Sequence, residues 1–65
     1  MDTETLELIK ELNDNIDGYK ASIDNLEYDL ANNSLSDEAV FAINSQISWY
    51  ESAIDLAVDT IKENN

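Results

Sequence analysis

Sixty-five residues with 15 acids, three basic residues and a formal charge of −12 allow one small domain and few kinds of chemistry. The chain has no Cys and no His, which excludes disulfides and ordinary zinc sites, and a second subunit is the common remaining way to stabilise so short a chain. The basic residues are all lysines (Lys10, Lys20 and Lys62), and so strong a negative charge disfavours direct contact with nucleic acid or with anionic membranes, because phosphates would be repelled.

Apolar residues recur every three or four positions in two long stretches, which is the spacing of a helical coiled-coil seam. The first stretch predicts a helix over about 3–32, ended by Asn33, a residue type that suits the left-handed conformation common at helix ends. A turn follows at 33–36. Ser36 is a favourable N-cap and predicts a second helix over about 37–63, with acids in its first turn, where the helix dipole stabilises them.

The two apolar stripes match each other as the facing sides of an antiparallel hairpin. Facing residues in such a hairpin have numbers with a nearly constant sum, and the sum here is 69 or 70 in all seven layers. The layers are Leu30 with Val40, Leu26 with Ile43, Ile23 with Ile47, Tyr19 with Tyr50, Ile16 with Ile54, Leu12 with Ala57, and Ile9 with Ile61. The sequence therefore predicts an all-α fold, a coiled-coil-like hairpin of two helices.

A second stripe lies on another face of the second helix, where small residues flank one large aromatic side chain. Trp is enriched at protein interfaces. Trp49 could instead fold over its own hairpin, but a two-helix layer has little flank with which to shield it. We therefore predict a homodimer that forms a four-helix bundle with two-fold symmetry. Its predicted interface consists of Ala42, Gln46, Trp49, Ala53, Leu56 and Thr60.

Catalysis is not expected of this chain. Acid–base and nucleophilic mechanisms need an activated group in a pocket, and the sequence has no His, Cys or Arg and no glycine-rich phosphate loop. A layer of two helices also offers no deep cleft. We therefore predict neither catalytic residues nor a cofactor.

One stretch, 13–24, resembles the calcium-binding loop of an EF-hand. Asn13 and Asp24 fall at its first and last ligand positions, and Gly18 falls at its sharp turn. The first position lacks the usual Asp, the last lacks the usual Glu, and a loop here would interrupt the seam at Ile16. The helical interpretation explains more residues, so no metal site is predicted, and calcium binding stays open as an alternative.

Acidic side chains occupy the outward positions of both predicted helices almost without lysine between them. A solvated helix face usually mixes charges, whereas Glu4, Glu7 and Glu11 lie three or four residues apart and repel one another. Such repulsion opposes folding and indicates that the charge has another role. The predicted partner-binding surface consists of Glu4, Glu7, Glu11, Asp14, Asp17, Asp24, Asp37, Glu38, Glu51, Asp55, Asp59 and Glu63.

The density of this charge approaches that of DNA. A helix of about 30 residues is ~45 Å long, and duplex DNA of that length carries about 26 charges. One chain carries −12, so a dimer would carry twice that, −24. In size, acidity and all-round carboxylates, the chain resembles the small DNA-mimic proteins with which phages inhibit host factors. The resemblance implies that the chain binds a basic DNA-binding protein in the host cytoplasm and blocks its DNA-binding surface. The first candidate for this target is a histone-like nucleoid protein.

A cytoplasmic location is also expected from the chain itself. Residues 1–4 have neither the basic nor the apolar segment of a signal peptide, and no apolar run approaches the ~18 residues of a membrane span. The alternative function is a structural or adaptor module, in which the Trp49 face binds a partner helix and the charge confers solubility alone.

Overall fold

Two long helices account for most of the chain. The computed structural model describes residues 2–64, with helix α1 at Thr3–Asn32 and helix α2 at Asp37–Glu63. These bounds agree with the predicted ones, but the left-handed conformation predicted for Asn33 is wrong. Asn33 is extended, with φ −119° and ψ 144°, and its backbone N–H ends the helix by donating to the Asp29 carbonyl oxygen. The helices pack against each other as an antiparallel hairpin of 49 × 15 × 12 Å, and the described residues contain no strand. The predicted all-α hairpin is confirmed.

Side-chain caps determine where each helix begins. Asp2 Oδ1 accepts a hydrogen bond from the backbone N–H of Thr5 at 2.7 Å, and Ser36 Oγ accepts one from that of Ala39 at 3.2 Å. The hydrogen bond from Thr5 holds the pKa of Asp2 below its ordinary value. A depressed pKa in the folded state means that this cap contributes at neutral pH and is lost as the pH falls through the lowered value.

The predicted seam forms the covered side of both helices. Ile16 and Ala57 are the most buried residues, with 7 % and 6 % of their surface exposed. The other seam residues are half-buried, and none is exposed. Tyr19 and Tyr50 share the central layer, with ring centroids 5.6 Å apart. The seam stays partly open because two helices alone make a single layer, and a core this thin stabilises the hairpin weakly.

Residues 13–24 are helical throughout, so the structure contradicts the calcium-loop alternative. An EF-hand loop needs a sharp turn at its glycine. Gly18 instead has the negative φ of a helical residue. Among residues 2–64, no group of three or more acidic side chains is placed to hold a metal ion.

Charged or polar residues recur along both helices, and the longest apolar run is the five residues 39–43. As a result, neither helix in the described part of the chain is long and apolar enough to cross a membrane.

Gly18 gives a direct test of the helix interior. A Cβ added at this residue would meet no atom within 4 Å, and Gly costs about 1 kcal/mol relative to Ala inside a helix. We expect Gly18→Ala to raise the free energy of unfolding by about 1 kcal/mol in urea denaturation. The matched control is Ala21→Gly, at another exposed position of α1, which should lower it by a similar amount. A destabilised Gly18→Ala variant would contradict an open helix face there.

Candidate functional site

Every carboxylate assigned to the acidic surface is exposed. On α1 these side chains are distributed along most of the helix, whereas on α2 they lie in its first turn and in its second half, with none over 39–50. On α1 they are Glu4, Glu7, Glu11, Asp14, Asp17 and Asp24, and on α2 they are Asp37, Glu38, Glu51, Asp55, Asp59 and Glu63. Because the side chains diverge from the surface of a rod, they form no chelating cluster among the described residues. Their combined effect is an extended negative field along the molecule.

Asp29 differs from the acids of that surface. It is half-buried, near the end of α1, and its Oδ1 accepts a weak hydrogen bond of 3.4 Å from Asn33 Nδ2. The backbone N–H of Asn33 also donates to the Asp29 carbonyl oxygen at 3.1 Å. Asp29 therefore contributes to the end of the helix, and its charge is less available to a partner.

Trp49 contacts its own hairpin and faces solvent at the same time. Its ring centroid lies 6.0 Å from that of Tyr19 and 5.2 Å from that of Tyr50, with interplanar angles of 81° and 76°. Edge-to-face contacts of this kind are favourable beyond the area that they bury. Even so, 61 % of the Trp49 surface remains exposed. The Tyr pair orients the indole against the hairpin and leaves most of it free.

The six residues predicted for the dimer interface form one strip along α2. Ala42, Gln46, Trp49 and Leu56 are exposed, and Ala53 and Thr60 are half-buried. Leu56 alone leaves 69 % of its surface exposed. The strip contains no charged residue over 42–60, since the acids of that range lie at other positions of the helical repeat. An uncharged strip on so acidic a chain is the second distinct surface of the hairpin.

An open groove of about 220 Å³ adjoins this strip where α2 meets α1. It arises at the Leu12 layer of the seam, the one layer in which a large residue faces an alanine, Ala57. The lining residues are Leu12, Asn15, Tyr19, Ala53, Leu56, Ala57 and Thr60. This groove was not predicted from the sequence, although the small residue opposite Leu12 was the signal for it.

Several exposed apolar side chains were also not predicted from the sequence. Phe41 is the most exposed, at 76 %, followed by Tyr28 at 64 % and Leu6 at 54 %, and Leu8 is at 41 %. They lie near the two ends of the hairpin, away from the Trp49 strip. Isolated exposed apolar residues are common on protein surfaces, so these side chains define no further site.

Comparison with known proteins leaves the interpretation to the residues themselves. No protein-family model, curated protein or solved structure matches this chain.

Proposed function

We propose that this chain is a non-catalytic DNA mimic that binds a basic DNA-binding protein and blocks its DNA-binding surface. The first candidate target is a histone-like nucleoid protein, which the chain would bind in the cytoplasm. One observation carries the proposal: on a rod 49 Å long, exposed carboxylates run along most of α1 and along the second half of α2, with two more at the start of α2. A basic groove that binds phosphates would attract such a surface at many points at once.

The size of the charge supports this function over simple solubility. Duplex DNA as long as the hairpin, 49 Å, carries about 29 charges at one per ~1.7 Å. One chain carries −12, and two chains carry twice that, −24. Solubility in a small domain needs a net charge of only about 2–8. The excess negative charges repel one another and oppose folding. Binding to a basic partner would explain why the chain carries them.

The proposed active form is a homodimer, a four-helix bundle built on the uncharged strip. Trp49 and Leu56 expose most of their surface in the single hairpin, and the half-buried seam gives one chain only a thin core. A second copy would cover the strip, stabilise the fold and double the charge on a rod of similar length.

Trp49→Glu tests the dimer. A charge in the middle of the strip should prevent association, because it would be desolvated without a partner. We expect light scattering to show a fall from two chains to one, and the melting temperature to fall with it. Phe41→Glu is the matched control, since it replaces another exposed aromatic residue of α2 outside the strip and should leave the dimer intact. A wild-type chain that remains monomeric at high micromolar concentration would refute the four-helix bundle.

The test of the function is competition with DNA. A basic nucleoid protein is bound to a short fluorescent duplex, and the chain is added while fluorescence anisotropy reports free and bound DNA. We expect release of the duplex at low salt. Flexible polyglutamate with the same total charge is the control, and it should release less DNA because its charges are not held on a rod. No release by the folded chain would contradict the proposal.

The adaptor function remains the second candidate because of one observation, the 61 % exposure of Trp49 beside an open groove. In that case a helix of another protein would cover the strip, and the acids would serve solubility. The competition experiment separates the two functions, since an adaptor would leave DNA bound to the nucleoid protein.

A further inference from the structure

The uncharged strip of α2 is self-complementary in its numbering. When two copies of one helix pack antiparallel, facing residues have numbers with a constant sum, as in the hairpin itself. Gln46 with Thr60 gives 106, Trp49 with Leu56 gives 105, and Ala53 with itself gives 106. The strip also gives a constant sum of 102, with Ala42 facing Thr60, Gln46 facing Leu56 and Trp49 facing Ala53, so the numbering allows more than one register. The register of 105–106 is the one in which the largest side chain faces Leu56 at the groove and Ala53 faces its own copy.

We propose that two hairpins pack α2 against α2 in antiparallel orientation around a two-fold axis at Ala53, with Trp49 of each copy seated in the groove of the other. This inference rests on the homodimer of the proposed function and specifies its interface. It is an isologous contact, in which the same patch serves both copies and the assembly closes at two chains.

The groove has the size and position that this packing requires. Trp49 and Leu56 are seven residues apart, about 10 Å along the helix at ~1.5 Å per residue. Reversal about Ala53 therefore brings the indole of one copy onto the Leu56 region of the other. A cavity of about 150 Å³ accommodates benzene. The groove, at about 220 Å³, has room for the two-ring indole, against largely apolar walls.

Charge selects a second copy as the occupant. A nearby basic protein would be drawn to the carboxylates, which lie outside the strip, whereas two copies repel each other wherever acids meet. The strip is uncharged over 42–60. On α1 the flank that carries the groove residue Asn15 is also uncharged from Asn15 through Gly18 and Ser22 to Asn25, and Glu11, one turn before Asn15, is the acid at its edge. This is the side on which two chains of −12 can approach without placing acid against acid.

The contact area is that of a small interface. Reversal about Ala53 overlaps the two α2 helices over residues 43–63, about 30 Å at ~1.5 Å per residue, and the hairpin is 15 Å wide, so each copy covers on the order of 450 Å². This area is below the value of about 800 Å² per partner of a standard interface, so we expect a dimer that depends on protein concentration. Ala53 at the axis permits the close approach of the two helices.

Single cysteines test this packing, because the chain has none of its own. At a two-fold axis the same residue meets itself, so Ala53→Cys should form a covalent dimer under mild oxidation, seen as loss of the monomer band on a non-reducing gel. Ser52→Cys is the matched control, one residue away and exposed, and should remain mainly monomeric. A disulfide requires Cα atoms within about 7 Å, so the comparison is selective.

A second pair of variants tests the facing residues and replaces the first if Ala53→Cys fails to fold. A mixture of Gln46→Cys and Thr60→Cys should form a mixed disulfide. Gln46→Cys alone should form none, since its two copies would lie about 21 Å apart along the bundle, fourteen residues at ~1.5 Å each.

The outcomes distinguish this inference from the proposed function. A dimer in light scattering that cross-links through Ser52→Cys as readily as through Ala53→Cys, or through Gln46→Cys alone, overturns the packing and leaves the dimer. A monomeric wild type overturns both the dimer and the packing. DNA displacement plays no part in the cross-linking, so failure to release DNA refutes the mimic function without affecting this result.

Discussion

Ile16→Asp is expected to unfold the isolated chain. Ile16 is among the most buried residues, with 7 % of its surface exposed, and it faces Ile54 in the seam. Removal of a buried isoleucine side chain and burial of an unpaired charge together cost about 3–5 kcal/mol. A core in a chain of this size supplies about 3–5 kcal/mol in all. Circular dichroism at 25 °C should therefore show most of the helical signal lost.

The neighbouring residue provides the control for this change. Asp17→Lys alters an exposed position one residue away and replaces one of many like charges with an opposite charge. It should leave the fold unchanged or stabilise it, because repulsion along the helix is reduced. If Ile16→Asp and Asp17→Lys both retained full helicity, the seam would not be the core of the molecule.

Reversal of three acids, Glu4, Glu7 and Glu11 to Lys, is expected to weaken binding to a basic partner by roughly 10- to 100-fold. Each exposed charge contact is worth about 0.5–1 kcal/mol, and 1.4 kcal/mol is a factor of ten. The three changes each shift the charge by two, so the chain moves from −12 to −6. No single reversal should approach this effect, because the charge is distributed along the rod. Isothermal titration calorimetry with the target protein measures the loss.

The control for the triple reversal is a variant in which Glu4, Glu7 and Glu11 are replaced by Asp. It keeps the charge and should bind as the wild type does. All three positions are exposed, so both triple variants should retain their helical signal in circular dichroism. Equal binding by the Lys and Asp variants would mean that this part of the acidic surface does not contact the partner.

Much of the hairpin follows from the sequence because its determinants are local or periodic. The seam depends on spacing, and the start of α2 depends on the Ser36 cap, which the structure shows accepting from Ala39. Exposure of the acids also follows, since carboxylates at outward positions of a helix stay in water.

Other features depend on the shapes of side chains brought together by folding. The groove exists because Ala57 leaves space opposite Leu12, an effect of volume rather than of pattern. The direction of Trp49 is determined by its edge contacts with Tyr19 and Tyr50, which form only when the helices pack. The partner depends on a second molecule, and dispersed charge attracts many basic surfaces.

Salt dependence is the most direct test of the central claim that the acids bind a basic protein in place of DNA. Exposed charges act over ~30 Å at 0.01 M salt and ~10 Å at 0.1 M. Salt should therefore screen the repulsion within the chain and raise its melting temperature, while it weakens the complex with the nucleoid protein. The decisive measurement is affinity by calorimetry between 0.01 and 0.2 M salt, beside melting curves in the same buffers. We expect the melting temperature of the chain to rise and its affinity for the nucleoid protein to fall as salt is added. Affinity that is insensitive to salt, or binding abolished by Trp49→Ala in a protein that is still dimeric, would contradict the central claim.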